Sequence, residues 1–111
     1  MARLNYLELP VGDLAGAKAF YAAAFGFLFT DFGPSYASTM SGDTDIGLQA
    51  DVSEQTAAAL PVIDVADLDA TQAAVLAAGG ILTRPTFAFP GGRRFHFRDV
   101  AGHEIAVMQS A

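Results

Sequence analysis

The segment VGDLAGAKAFYAAAFGFL, residues 11–28, is the strongest indication of the fold, because the chain contains a second copy of it. Residues 65–82, VADLDATQAAVLAAGGIL, lie over it with a constant offset of 54, and eight of the eighteen positions are identical. Alanines inflate such a match, but the ordered V-x-D-L start and the glycine near the end do not depend on them. The sequence therefore predicts two copies of one unit.

Each copy has the same order of elements. An alternating apolar run, at 4–11 and again at 60–65, predicts a strand. Asp13 or Asp67 then occupies the helix N-cap position, where a carboxylate accepts hydrogen bonds from the free amides of the first turn. An alanine-rich helix follows, and a glycine ends it. The apolar face of the first helix comprises Leu14, Ala17, Phe20, Tyr21, Ala24 and Phe25.

Three short strands follow each helix. Their predicted ranges are 27–32, 35–40 and 45–50 in the first copy and 81–89, 93–99 and 103–108 in the second. The unit is βαβββ, made twice, with repeats at about 4–55 and 58–110 in a single domain, 1–111. We expect an α+β fold with curved mixed sheets around a concave pocket and helices on the outer face.

The two histidines lie near the C-terminus in GGRRFHFRDVAGHEIAVMQ. Side chains alternate between the two faces of a strand, and a hairpin must match apolar face to apolar face. Phe95, Phe97, Ile105 and Val107 should therefore pack beneath a helix. His96 faces the other way, and His103 points to the opposite side from His96, so the two histidines cannot share a metal ion.

The face that carries His96 is too polar to be a closed core, which predicts a ligand pocket. On the first strand, Tyr6 and Glu8 lie on the corresponding face. The predicted pocket residues are Tyr6, Glu8, Gln49, Arg94, His96, Arg98, Glu104 and Met108.

Several of these residues have an alternative interpretation. His96 is either an acid–base or ligand-binding group, since its pKa lies near neutral pH, or a buried histidine that fills space. Arg98 and Glu104 either bind a ligand or form a cross-strand ion pair. The turn PGGRRF either holds an anion or is an ordinary hairpin turn with two solvated arginines.

Composition excludes several classes of function. The formal net charge is −6 and there is no basic stripe, so we expect no nucleic-acid partner. Zero cysteines exclude disulfides and thiolate zinc sites. No apolar run reaches 18 residues and no signal-peptide pattern precedes the first strand, which predicts a cytoplasmic protein without a membrane partner. A content of 52% hydrophobic and 16% charged residues favours a homodimer.

The duplicated pattern resembles the vicinal oxygen chelate superfamily, the glyoxalase, bleomycin-resistance and extradiol dioxygenase group. The likeness covers residues 4–109 and rests on LELPVGDLAGAKAFYAAAFGF and GGRRFHFRDVAGHEIAVMQ. In metal-dependent members, the resemblance places the ligands at positions that correspond here to Tyr6, a residue near Gln49, Leu60 and Ala106. Leu60 and Ala106 have no donor atoms, so the resemblance implies a metal-free branch with no cofactor.

Two functions follow from this interpretation. The first is metal-free binding or sequestration of a small molecule by a homodimer. The alternative is a glyoxalase-like lyase or isomerase that uses Glu8, His96 or Glu104 as acid–base groups, or a non-standard metal site. The sequence leaves open whether the protein is an enzyme, and many unrelated chemistries share this fold.

Overall fold

The computed structural model describes residues 2–111 and confirms an α+β fold made of two tandem βαβββ modules. The elements of the first module are β1 (Arg3–Pro10), α1 (Leu14–Phe25), β2 (Phe29–Asp31), β3 (Tyr36–Thr39) and β4 (Asp45–Gln49). Those of the second module are β5 (Leu60–Asp64), α2 (Leu68–Ala77), β6 (Ile81–Phe89), β7 (Gly92–Arg98) and β8 (Glu104–Ser110). The chain divides into two compact units, Tyr6–Leu60 and Pro61–Ala111, the second of which also includes the start of β1.

Both helices begin at the aspartates that the sequence predicts. The carboxylate of Asp13 accepts a hydrogen bond from the amide of Gly16 at 3.1 Å, and that of Asp67 accepts one from the amide of Ala70 at 3.0 Å. Helix α1 ends at Gly26, whose φ of 74° lies in the left-handed region that a residue with a side chain rarely adopts. The repeated V-x-D-L start therefore encodes the same helix start twice.

The first module is a mixed four-stranded sheet in the order β2-β3-β4-β1. Strand β4 runs parallel to β1 and antiparallel to β3. In this register Gly47 lies beside Glu8 on one side and Ser38 on the other. Residues at these three positions share one face of the sheet, because their Cα atoms are direct neighbours across the strands.

The second module repeats this topology in the order β5-β8-β7-β6. Ala106 lies beside Val62 on β5 and opposite His96 on β7. The hairpin pairs Phe95 with Val107, and Phe97 with Ile105, as the matching of apolar faces predicts. The strand faces are therefore confirmed.

The core of the second module lies between α2 and the sheet. Phe95 and Val107 form a buried cluster with Val65 and Leu68, and Phe97 and Val75 pack against it. Phe95 and Leu68 are fully buried. Burial of a large apolar side chain contributes about 1.5–3 kcal/mol, so this cluster fixes β7 with its other face, which carries His96, turned away from the helix.

Helix α1 differs from this arrangement. None of its residues is buried within the described chain, and the exposed fractions of Phe20 and Phe25 are 62% and 64%. Its aromatic rings contact one another instead: Tyr21 stacks with both Phe25 and Phe27. Facing α1, strands β3 and β4 offer the buried side chains of Ala37 and Leu48. The module covers only part of the predicted apolar face: Leu14, Ala17 and Tyr21 are half-buried, whereas Phe20, Ala24 and Phe25 are exposed.

No helix in residues 2–111 is both long enough and apolar enough to cross a bilayer.

Candidate ligand-binding site

The polar face of the first module holds a hydrogen-bonded cluster that we call the tyrosine cluster: Tyr6, Glu8, Tyr36 and Ser38. The hydroxyl of Tyr36 donates to Glu8 Oε1 at 3.1 Å, and that of Tyr6 donates to Ser38 Oγ at 3.0 Å. The two phenol oxygens also contact each other, but each phenol has a single proton, which these two hydrogen bonds already use. The side chain of Glu8 is 3% exposed, so these bonds offset part of the free-energy cost of removing a carboxylate from water.

Gly47 makes room for the tyrosine cluster. A Cβ atom at this position would overlap the hydroxyl oxygens of both Tyr6 and Tyr36. The backbone of Gly47 does not adopt positive φ, so the requirement is for space and not for conformation. The glycine allows two phenols to lie over the centre of the sheet.

Burial raises the pKa of Tyr36, and the neighbouring Glu8 carboxylate raises it further. Burial also raises the pKa of Tyr6, although its contacts with the hydroxyls of Ser38 and Tyr36 oppose this effect. Desolvation disfavours a phenolate. Both tyrosines therefore remain protonated and act as hydrogen-bond donors at neutral pH.

The polar face of the second module holds a histidine–carboxylate pair. Nδ1 of His96 lies 3.0 Å from Glu104 Oε2, and the histidine side chain is 2% exposed. Thr83 donates to the same carboxylate oxygen at 3.3 Å. His96 on β7 and Glu104 on the neighbouring strand β8 thus meet on the face that the sequence assigns to a pocket.

Two arginines and an aromatic ring surround this pair. The guanidinium carbon of Arg84 lies 3.7 Å from the centre of the Phe87 ring, and that of Arg94 lies 5.1 Å from it. The centre of the Phe87 ring is 5.9 Å from that of His96. Nε2 of His96 is buried and has no hydrogen-bond partner among residues 2–111. An unsatisfied buried polar atom costs about 1–3 kcal/mol, which is a reason to look for a ligand.

Burial lowers the pKa of His96. The hydrogen bond to Glu104 opposes that shift, and the positive charges of Arg94 and Arg84 add to it. His96 is therefore a neutral imidazole at neutral pH. A neutral imidazole with one ring nitrogen engaged can accept a hydrogen bond or a proton at the other.

The other predicted pocket residues have varied surroundings. Gln49 is buried, and its Oε1 accepts from the amide of Asp51 at 2.9 Å. Arg94 is partly buried opposite Met108. Arg98 is exposed and, although its Cα is paired with that of Glu104, its guanidinium donates to the carbonyl of Gly102 at 2.9 Å. The expected ion-pair partner of Arg98 instead contacts His96, because the carboxylate turns toward the buried ring.

Sequence reasoning missed Tyr36, Ser38, Gly47, Arg84 and Phe87. A sequence pattern could have placed the first three on the polar face: Tyr36 and Ser38 alternate with the apolar Ala37, so pairing with β4 brings them to the face of Gly47. No such pattern exists for Arg84 and Phe87, because β6 has register shifts between residues 82 and 87 that interrupt regular alternation.

The residues at the family's metal positions do not fit a metal ion. Leu60 and Ala106 are fully buried aliphatic side chains. The hydroxyl of Tyr6 and the amide oxygen of Gln49 already make the hydrogen bonds described above. Among residues 2–111 there is no group of three or more histidine, cysteine, aspartate or glutamate side chains that could hold a metal. We derive no chemical step from a metal at these positions.

A depression of about 330 Å³ lies elsewhere, at the C-terminal ends of β5 and β8. It is lined by Asp64, Val65, Ala66, Gln109 and Ser110. It contains none of the predicted pocket residues. We assign the candidate site from side-chain chemistry, since the depression is open and has no buried charged group.

Residues 3–107 match the profile of the glyoxalase/bleomycin resistance protein/dioxygenase superfamily, which spans nearly the whole chain. The protein therefore belongs to this superfamily. No curated protein sequence matches the chain.

Solved structures support the same fold. A hypothetical protein from Bacillus halodurans C-125 is 14% identical, with a TM-score of 0.79 over 99% of this chain and 95% of its own. Methylmalonyl-CoA epimerase from Mycobacterium tuberculosis is 18% identical, with a TM-score of 0.75 over 97% and 87%. The Mn(II)-bound glyoxalase from Novosphingobium aromaticivorans is 21% identical, with a TM-score of 0.72 over 98% of this chain and 40% of its own. At these identities the likeness establishes the fold and not a reaction.

Proposed function

We propose that this protein binds a small organic molecule without a metal ion. One observation carries the proposal: the buried polar and charged side chains Glu8, Ser38, Gln49 and His96 all lie on the sheet faces that the helices do not cover. Buried polar side chains are costly in a protein interior and are common where they orient a ligand. Leu60 and Ala106 support binding without a metal ion, because these buried aliphatic side chains have no atom that could coordinate one.

The test combines metal analysis with a thermal-shift screen in the presence of a chelator. We expect the purified protein to carry no stoichiometric metal, and at least one small molecule to raise Tm with EDTA present, since binding to the native state stabilises it. A stoichiometric metal whose removal abolishes all ligand-induced stabilisation would contradict the proposal.

A second candidate function is acid–base catalysis by His96. The contact between Glu104 and the buried ring favours it, because a carboxylate that orients a neutral imidazole is a common arrangement for a general base. The similar structures include an epimerase and a glyoxalase. Catalysis would be established in place of sequestration if the protein turns over a ligand found in the screen, and if His96→Gln still binds that ligand but no longer turns it over.

We further propose that the protein is a homodimer. The exposed side chains Phe20, Phe25, Phe27, Leu28 and Phe32 on and after α1 support an apolar interface, because a monomer rarely exposes so many large apolar groups together. Light scattering at micromolar concentration should give twice the chain mass, and Phe25→Asp should shift it toward the monomer. A monomeric mass for the unmodified protein would contradict this.

A further inference from the structure

The two modules have equivalent backbone hydrogen bonds where their parallel strand pairs end. After β1, the amide of Val11 donates to the carbonyl of Gln49 at 2.9 Å. After β5, the amide of Val65 donates to the carbonyl of Met108 at 2.9 Å. The sequence offset of 54 that relates Val11 to Val65 therefore holds for the backbone as well, and the two pairs of carbonyl groups occupy the same place in each module.

In the first module a side-chain amide covers these carbonyl groups. Nε2 of Gln55 donates to the carbonyl of Val11 at 2.8 Å and to that of Gln49 at 2.9 Å. A primary amide has two N–H donors in one plane. The end of the strand pair is thus completed by a planar –NH₂ group that bridges two backbone acceptors.

The second module has no such donor. Among residues 2–111, no side chain donates to the carbonyl of Val65 or to that of Met108. The depression of about 330 Å³ lies at this place, lined by Asp64, Val65, Ala66, Gln109 and Ser110. A ligand with a planar –NH₂ group could donate there to the same two backbone acceptors that Gln55 bridges in the first module.

Asp64 adds a charge that the first module lacks. By the same offset, its counterpart is Pro10. Asp64 is half-buried, and its carboxylate makes no hydrogen bond or ion pair with the rest of residues 2–111. Arg93 lies opposite Gln109 on the neighbouring strand, but its guanidinium is 3.6 Å from the carboxylate of Asp69. The depression therefore favours a cation.

The start of α2 beside the depression does not require an anion. The amide of Leu68 donates to Oε1 of Gln109 at 2.8 Å, and that of Ala70 donates to the carboxylate of Asp67 at 3.0 Å. Side chains of the module thus already accept from the first turn of the helix. Asp67 also adds a second negative charge at this end of the strand pair.

We propose that this depression is a second binding site, for a small molecule that carries a guanidinium group. The guanidinium retains the planar –NH₂ of the Gln55 amide, which donates to the carbonyls of Val65 and Met108, and adds the positive charge that Asp64 favours. The site contains none of the residues on the polar sheet faces, so it goes beyond the proposed function.

Three probes separate the donor from the charge. Methylguanidinium has both, hexamethylguanidinium is a planar cation without an N–H, and acetamide has the planar –NH₂ without the charge. Methylguanidinium should bind at least about fivefold more tightly than acetamide, since a carboxylate strengthens the contact. It should bind at least about tenfold more tightly than hexamethylguanidinium, which cannot donate to the carbonyls. Titration followed by ¹H–¹⁵N NMR measures the affinities from the backbone amides of Val65, Ala66 and Gln109.

A pair of variants assigns the charge preference to one residue. Asp64→Asn should weaken methylguanidinium about fivefold and make its affinity similar to that of acetamide. Asp31→Asn is the control, because it makes the same change in net charge at an exposed carboxylate paired with Lys18 in the first module. It should leave the affinity within about twofold.

A third variant tests the equivalence of the modules. Gln55→Ala removes the amide that bridges the carbonyls of Val11 and Gln49. Methylguanidinium and acetamide should then both perturb the amides of Val11 and Ala50, with affinities within about twofold of each other, because Pro10 carries no charge. Neither probe should perturb these amides in the unmodified protein.

The outcomes separate this site from the proposed function. Equal affinities for methylguanidinium and hexamethylguanidinium would overturn the donor requirement. Equal affinities for methylguanidinium and acetamide, or equal losses in Asp64→Asn and Asp31→Asn, would overturn the charge requirement. If a molecule from the thermal-shift screen perturbs Tyr36 or His96 while methylguanidinium leaves Val65 unperturbed, the proposed function stands and this site is wrong. The reverse pattern would support this site and contradict binding at the polar faces.

Discussion

The two modules share one backbone plan but carry different chemistry at equivalent positions. Ser38 lies opposite Gly47 in the first module, as His96 lies opposite Ala106 in the second. The first module fills its polar face with phenols and a buried carboxylate, and its two basic residues are Arg3 and Lys18. The polar face of the second module carries an imidazole, a carboxylate and two arginines.

The helices differ as well. Helix α2 contributes the fully buried Leu68 to a core, whereas α1 contributes no buried residue. The duplicated plan therefore determines strand order and helix start, and leaves each module free to differ in what its faces bury. Four predictions test how far this difference extends.

The largest expected effect compares the helix-facing aromatics. Phe95→Ala should reduce the free energy of unfolding by about 3–5 kcal/mol, because the ring is fully buried and its removal leaves a cavity. Phe25→Ala on α1 should cost less than about 1 kcal/mol in the monomer, since 64% of that side chain is exposed. Phe97 is only partly buried and should fall between them. Urea denaturation measures all three, and equal losses would show that the modules bury their helices alike.

The next prediction concerns the small residue at the centre of each sheet. Gly47→Ala should destabilise the protein by about 1–3 kcal/mol, because the added methyl group displaces the hydroxyls of Tyr6 and Tyr36. The reciprocal change Ala106→Gly should cost about 1 kcal/mol, chiefly through the backbone entropy of glycine. Adding Tyr36→Phe to Gly47→Ala should cost less than the sum of the two single changes, as a double-mutant cycle would measure. Strict additivity would contradict the proposed overlap.

The third prediction uses alkaline pH to examine the first module. The pKa of Tyr36 is raised in the folded state, so above about pH 10 the unfolded chain loses its proton first and stability falls as pH rises. The slope per tyrosine is at most about 1.4 kcal/mol per pH unit. Tyr36→Phe should give a shallower loss than the unmodified protein in denaturation at pH 9–11. Identical slopes would show that the phenol is not buried.

The smallest effect is expected from the second module at acid pH. The pKa of His96 is lowered in the folded state, so as pH falls below about 6.5 the unfolded chain binds a proton first and stability falls. His96→Gln should flatten the dependence between about pH 6.5 and 5, by less than about 1.4 kcal/mol per unit. A steeper acid dependence in the variant would indicate that His96 is charged in the native protein.

Most of the fold could be predicted from the sequence. About half of the residues in the tyrosine cluster and in the group around His96 could be predicted as well. Tyr6 and Glu8 were correctly placed on one face by alternation, and His96 and Glu104 likewise. Their partners were harder to predict. Tyr36 lies thirty residues from Tyr6 in sequence, and their contact depends on the register of β3 against β4 and β4 against β1. Alternation gives the face of each strand, but the register of one strand against another also depends on which strands pair and on the turns that connect them.

The two modules, their capped helices and the faces of the C-terminal hairpin follow from the sequence alone, because N-caps and alternation are local rules that repeat along the chain. Three features depend on the tertiary structure: Glu104 contacts His96 while Arg98 turns to a carbonyl, Gly47 is needed for space, and Phe20 and Phe25 of α1 remain exposed. Each of these depends on which of several neighbours a side chain reaches. Packing and desolvation in three dimensions make that choice, and the order of residues does not.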